Sequence, residues 1–389
     1  MKNLCIGCGV ALLLALAVPV LAQSSTATGV NREFNPAISV NALLLGRVAD
    51  QSTERAVNGA DLQEAEVQFT SIVDPYWKAN LIFAIHPKHA HDHDGDPDDA
   101  HEAGGYSGHV EVVYVDGQEL PAGLGMRLGK DFLPFGKHVP LHTHQFPFVD
   151  APLAVRTFLG SHGLTETGVR LAHGLPLPWY CDLEGYAVDG KAGIFAAESR
   201  DAVFGARLIN LFDLTDDATL EVSGSWLRGP MAHDYLMLHP EDPLTGDLQV
   251  WGADMTWKWV SSTSTHGPAM TLTGEVILPQ PDQGAENPSG WYAIAQYRFQ
   301  RNWWLGLGTG AMDRDLPHDP DHADEEHHAG LWHWQKASEY KANLTWVPSE
   351  FSALRLEVAH FKDGVGDADD TLVSLQFNFT IGSHPAHLY

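Results

Sequence analysis

The feature that most constrains this chain is a two-residue hydrophobic period, seen most clearly near the C-terminus in TLVSLQFNFTIG. Val373, Leu375, Phe377, Phe379 and Ile381 fall on one face of an extended segment, and Ser374, Gln376, Asn378 and Thr380 on the other. QVWGADMTWKWV sets Trp251, Met255, Trp257 and Trp259 against Asp254, Thr256 and Lys258. SEYKANLTWV sets Tyr340, Ala342, Leu344 and Trp346 against Lys341, Asn343 and Thr345. A strand of a soluble β-sandwich has the same period. What separates the two is how often the apolar face is aromatic near a strand end, where lipid headgroups lie.

Beyond the N-terminal segment no run of 18 apolar residues occurs, so a membrane-spanning form must be a closed barrel, which satisfies every backbone group in lipid. The alternation marks sixteen strands between residues 36 and 382. Connections after even-numbered strands are mostly short (VDP, DGQEL, DLTD, QR, PSEF). Those after odd-numbered strands are mostly long, including 87–108, 132–163, 229–247 and 314–334. Short periplasmic turns and long extracellular loops alternate in this way in outer-membrane barrels. The predicted fold is all-β, a transmembrane outer-membrane β-barrel over 36–389, with a secreted all-β protein as the alternative.

Residues 1–22, MKNLCIGCGVALLLALAVPVLA, have the charge, apolar run and small residues of a signal peptide, which leaves 23–35 as a short periplasmic segment. Cys5 and Cys8 would leave with it, so Cys181 would be the sole thiol of the mature chain. No intramolecular disulfide is then expected, and a metal site must be built from His, Asp and Glu. The formal charge of −27 excludes a nucleic-acid partner and suits cations. No nucleophile and base can be paired from the sequence, so an enzyme is not expected.

HPKHAHDHDGDPDDAHEAGGYSGH, residues 86–109, places His86, His89, His91, His93, His101 and His109 among acids that include Asp94. DRDLPHDPDHADEEHHAGLWHW repeats the chemistry with His318, His322, His327, His328 and His333. Both are expected at the extracellular rim, as metal-gathering loops or as merely soluble connections. Sharper motifs fail. DHDGDPDDAHEA has Gly95 at the fourth position of a calcium loop instead of the sixth, and Ala103 where its last ligand belongs. HADEEHH spaces His322 and His327 one step too far for a zinc-protease helix.

The third long connection, 132–163, contains DFLPFGKHVPLHTHQFPFVDAPL. Porin-type barrels commonly fold this loop inward as a constriction. In an extended HTH, His142 and His144 share a side, and with His138 and Asp150 they would make an N₃O set for zinc. The competing reading is a rigid loop shaped by Pro134, Pro140, Pro147 and Pro152, whose histidines only form hydrogen bonds.

NPAISVNALLLGRV, FGKHVPLHTHQFPFVDAPL, GLTETGVRLA and FNFTIGSHPAHLY together resemble Gram-negative zinc-regulated outer-membrane receptors, which are distantly similar to phosphate-selective porins. The resemblance covers most of the mature chain. Its His-x-His followed by Phe-Val-Asp-x-Pro-Leu falls on His142, His144, Phe148, Val149, Asp150, Pro152 and Leu153. The family label often adds TonB coupling, but residues 23–35 are too few for the plug that precedes a barrel of about 22 strands. The 23 Lys plus Arg against 50 Asp plus Glu argue against an anion-selective lumen. The expected function is uptake of divalent metal ions, zinc foremost, through an outer-membrane channel. A general diffusion pore and a surface metal-binding barrel without transport are the alternatives. Outer-membrane lipid and a homotrimer are the expected partners. Copper has the higher intrinsic affinity for such donors, and capture should weaken below about pH 6, where free imidazole protonates.

Overall fold

The computed structural model describes residues 36–50, 58–87, 105–117, 120–160, 163–196, 201–232, 235, 246–262, 267–283, 286–315, 336–363 and 369–382. The predicted signal peptide and the segment 23–35 lie outside them. Sixteen strands run β1 (Ala37–Ala49), β2 (Gly59–Asp74), β3 (Trp77–Pro87), β4 (Tyr106–Gly117), β5 (Leu124–Phe132), β6 (Thr165–Gly174), β7 (Tyr180–Val188) and β8 (Val203–Thr215). They continue as β9 (Ala218–Pro230), β10 (Asp247–Val260), β11 (Ala269–Pro281), β12 (Glu286–Gln300), β13 (Trp303–Asp315), β14 (Lys336–Ser349), β15 (Ser352–Asp363) and β16 (Asp370–Gly382). Each pairs antiparallel with its sequence neighbours. β1 closes the cylinder on β16, with Ser39 opposite Gly382 and Ala49 opposite Leu372.

The barrel and its strand count agree with the sequence reading. The differences are at strand ends: β2 starts at Gly59 and β12 at Glu286, several residues before their apolar alternation begins. Ladder hydrogen bonds persist there beyond the apolar band, so pairing outruns the pattern.

Burial is inverted relative to a soluble protein. On β16, Val373, Leu375 and Phe377 face outward with 40–50% exposure, while Ser374 and Gln376 are buried. Glu357 on β15 and Lys341 on β14 are buried beside the exposed Leu356 and Leu344. An exposed apolar belt around a polar interior is stable only where hydrocarbon is the solvent. Exposed aromatics mark both rims. Phe204, Trp251, Trp291 and Tyr340 lie toward the end with the long connections, and Tyr76, Trp179, Tyr180, Trp346 and Phe351 toward the short turns.

The largest apolar cluster belongs to the connection after β5, which packs inside the barrel: Leu133, Phe135, Val139, Phe148, Leu153, Phe158 and Leu159 are all buried. It ends in the helix α1 (Leu153–Leu159), which is apolar on most sides because it lies between the loop and the wall strands β11 to β13. Three of its phenylalanines sit on wall glycines. A Cβ added at Gly252, Gly290 or Gly308 would come within 2.7–2.9 Å of Phe135, Phe158 or Phe148. Glycine thus lets a ring lie flat against a strand whose neighbours would otherwise hold it off.

The loop backbone is satisfied by the wall rather than by its own secondary structure. Wall carboxylates accept its N–H groups: Glu275 from Lys137 at 3.0 Å, Glu357 from Val149 at 2.9 Å and Glu339 from Leu153 at 2.7 Å. Wall donors reach its carbonyls: Asn343 to Pro147, Arg355 to Phe146, Gln63 to Val149, and Lys341 to Asp150 and Ala151. Hydrogen bonds to charged groups contribute about 1.5–3 kcal/mol each, so the docked loop is a fixed part of the lumen.

Candidate metal centre inside the barrel

The inward loop begins as a series of turns, because Pro134, Pro140 and Pro147 interrupt any ladder. Leu141 N–H bonds the His138 carbonyl, and Gln145 N–H bonds that of His142. HTH is therefore a 3-10 turn at Thr143–Gln145 capped by His142, and not the extended segment expected from the sequence. The two imidazoles still share a side, stacked at 17° with centroids 5.6 Å apart.

They meet carboxylates from two strands. His142 Nδ1 lies 3.0 Å from Glu111 Oε2 and 3.5 Å from Glu66 Oε1, and His144 Nδ1 lies 3.1 Å from Glu66 Oε2. Glu64, two residues along β2, accepts the Thr143 hydroxyl through Oε2 at 3.0 Å. Its Oε1 is buried without a hydrogen-bond partner among the described residues. One donor atom each from Glu66, Glu111 and His142 fall within 4.8 Å of one another. That spacing suits ligands that contract onto a single ion at about 2.0–2.2 Å.

Local structure explains both strands' contributions. In DLQEAEV the strand period puts Glu64 and Glu66 on the inner face. On β4 the register jumps from Ile82↔Val112 to Phe83↔Val110, which leaves Glu111 in a bulge. The bulge places both Glu111 and the next residue, Val112, on the inner side, between the outward-facing Val110 and Val113.

Burial opposes a charged imidazole at His142, but the facing Glu66 and Glu111 carboxylates outweigh it and hold its pKa well above the usual value. Without a metal the centre is an ion-pair cluster. A divalent ion held by Glu66, Glu111 and His142 would take the place of the imidazole proton.

The predicted four-ligand set is not brought together. His138 packs against Phe146 and Tyr292, with centroids 4.3 and 6.3 Å away, and burial followed by nearby Lys341 pushes its pKa down to about 3. Asp150 pairs with Arg47 at 2.7 Å; burial resists its charge, but Arg47 and then Arg156 hold its carboxyl down at about 2. His138 and Asp150 line one small cavity together with Lys341 and Glu339, where a resident ammonium disfavours a second cation. Spacing alone placed all four in one loop. Which wall each would meet was invisible.

Of the rim residues, His86 and His109 are described and lie on adjacent strands, their rings 5.2 Å apart. His89, His91, His93, Asp94, His101, His318, His322, His327, His328 and His333 lie outside the described residues. Glu64, Glu66 and Glu111 were missed in the sequence. The one available signal was the same-face pair Glu64 and Glu66, an uncommon charge density for neighbouring inward positions of one strand.

No family model matches the sequence. An uncharacterized protein of Aquifex aeolicus (strain VF5) is 24% identical over 367 residues, which covers 85% of this chain and 70% of that protein. Among solved structures, the high-pH structure of Pseudomonas putida OprB superposes with a TM-score of 0.60 at 11% identity, covering 89% of this chain and 94% of that one. An anion-selective porin from Comamonas acidovorans gives 0.51 at 10% identity, covering 89% and 98%. The trimer form of Vibrio cholerae OmpT gives 0.50 at 8%, covering 89% and 99%. The fold is that of outer-membrane porins.

Proposed function

We propose that this protein is a channel of the bacterial outer membrane that admits divalent metal ions, zinc best matching its donors. The observation that carries the reading is the cluster of buried Glu66 and Glu111 with the half-buried His142, and with His144 and Glu64 beside it, where the inward loop meets β2 and β4. On this reading the His, Asp and Glu residues of 87–108 and 314–334 gather ions at the extracellular rim. Several weak tethered ligands raise the local ion concentration without a tight trap. The inner cluster then selects. Its carboxylates would strip water from a cation, and the lumen cations Arg47, Lys341 and Arg355 are engaged by the inward loop. Release stays feasible because the imidazole can return to its carboxylate partners. Neither a separate plug domain nor energised coupling is part of this reading. A homotrimer in outer-membrane lipid is.

Purified protein in liposomes tests the reading. Zn²⁺ entry should fall about tenfold or more in Glu66→Gln/His142→Gln, while entry of an uncharged sugar is unchanged. Equal Zn²⁺ entry by both proteins would indicate a general diffusion pore. Zn²⁺ binding without entry would indicate a surface metal-binding barrel.

A further inference from the structure

The hydrogen bonds that hold the inward loop go to β1, β2, β4, β9, β11 and β14 to β16. The arc between β4 and β9 is the part of the wall that these bonds leave free. Its strands β5 and β6 have a distinctive inner face. Val169 and Leu171 are each 41% exposed toward lipid, so Gly168, Arg170 and Ala172 point inward. The register sets Gly125 opposite Ala172, Arg127 opposite Arg170 and Gly129 opposite Gly168. A row of two arginines thus stands between two rows with almost no side chain, and the guanidiniums are the groups that project.

Carboxylates surround both guanidiniums. Asp116 on β4 accepts from Arg127 Nε at 2.7 Å and from Nη2 at 3.0 Å, and Arg127 Cζ stacks 3.6 Å from the centroid of the Tyr114 ring. Asp131 accepts from Arg127 Nη1 at 2.5 Å and lies 3.7 Å from Arg170 Nη1, so it stands between the two. Arg170 Nη2 also donates to Glu184 on β7. The order along the wall is Asp116, Arg127, Asp131, Arg170, Glu184. Three carboxylates against two guanidiniums leave the strip net acidic, and its arginines remain 26% and 28% exposed. Bare arginines at this place would draw anions into a pore, whereas arginines outnumbered by their own counter-ions do not.

We propose that this strip is the charge-selective surface of the open lumen, that it favours cations, and that Asp131, the carboxylate between the two arginines, sets the preference. The inference rests on the channel reading above and is independent of the metal centre. A unit charge about 7 Å from a passing ion in water changes that ion's occupancy about threefold, and cation and anion respond in opposite senses. Neutralising Asp131 takes the strip from net acidic to neutral. Neutralising Asp116 as well makes it basic.

The test is the reversal potential of the full-length protein in planar bilayers under a KCl gradient. Wild type should pass K⁺ in preference to Cl⁻. Asp131→Asn should lower the K⁺/Cl⁻ permeability ratio about threefold or more, Asp116→Asn/Asp131→Asn should reverse the preference, and Arg127→Gln/Arg170→Gln should raise the ratio. Ala172→Cys leaves the strip intact, and attaching a cationic methanethiosulfonate to that folded variant should depress the K⁺ current. Wild type, whose Cys181 is buried, should not respond to the reagent. A reversal potential unmoved in Asp131→Asn, an anion preference in wild type, or a labelled Ala172→Cys protein that conducts as before would overturn the strip and leave the channel reading standing. Wild type without conducting steps would overturn the channel reading, and the strip with it.

Discussion

Removing the Glu339 carboxylate should release the inward loop without opening the barrel. Glu339 Oε1 accepts the Leu153 N–H at 2.7 Å, and Oε2 pairs with Lys341 at 2.9 Å and Arg156 at 3.4 Å. The side chains of Glu339 and Lys341 are each only 3% exposed. Breaking such a pair from one side leaves a buried charge, which costs about 3–5 kcal/mol. Lys341 keeps its bonds to the Asp150 and Ala151 carbonyls, so the lower end applies. About 3 kcal/mol of local opening is about a hundredfold loss of amide protection. Hydrogen-exchange mass spectrometry of Glu339→Ala in micelles should show that loss in peptides spanning 147–159, with the strands unchanged. Glu339→Gln keeps an acceptor for Leu153 but no charge for Lys341, and should lie between the two. Protection within threefold of wild type for the alanine variant would refute the claim that wall carboxylates hold the loop.

Zinc affinity should keep rising with pH beyond about 6.5, the free-imidazole value, because the ion must displace a proton that Glu66 and Glu111 hold on His142. Calorimetry that levels off near pH 7 would contradict this. By the same sign, the His142 anchor to β2 and β4 is complete below the free-imidazole value and is lost as pH rises through the elevated one. His138 has the opposite sense. Its folded pKa is pushed down to about 3, so its share of loop docking is intact above about 6.5 and declines as pH falls toward that value. The protection factors of residues 133–141, referred to intrinsic exchange rates at each pH, should therefore fall below pH 6 in wild type, and less so in His138→Leu. Gly136 has φ +59°, and a Cβ there would lie 1.8 Å from Glu275 Oε1. Gly136→Ala should cost about 1–2 kcal/mol in backbone strain alone and raise exchange of 133–139 at least tenfold; unchanged exchange would show that the loop tolerates displacement there.

The barrel was legible because its determinants are local. Alternation such as Val373, Leu375, Phe377 against Ser374, Gln376 fixes a strand and its two faces, and short turns fix the pairing of neighbours. The candidate centre was half legible. His142 and His144 are close in sequence, and their shared side survived even though the segment is a 3-10 turn. Their partners are remote: Glu66 and Glu111 come from strands that the period marks only as polar-inward, and the bulge that sets Glu111 and Val112 side by side has no residue signature in EVVYV. His138 and Asp150 were assigned to the same ligand set because they are near in the chain. In the fold His138 packs against Tyr292 and Asp150 pairs with Arg47, both on other strands. Long-range contact, not residue type, divided the loop's candidate ligands into a group that meets the Glu66 and Glu111 carboxylates and a group that anchors the loop.

Anomalous diffraction at the zinc edge, from crystals of the full-length protein equilibrated with Zn²⁺, tests the central claim most directly. The account predicts a peak inside the barrel about 2.0–2.2 Å from donor atoms of Glu66, Glu111 and His142. Zinc confined to the long connections, with His142 still paired to its carboxylates under saturating metal, would contradict it.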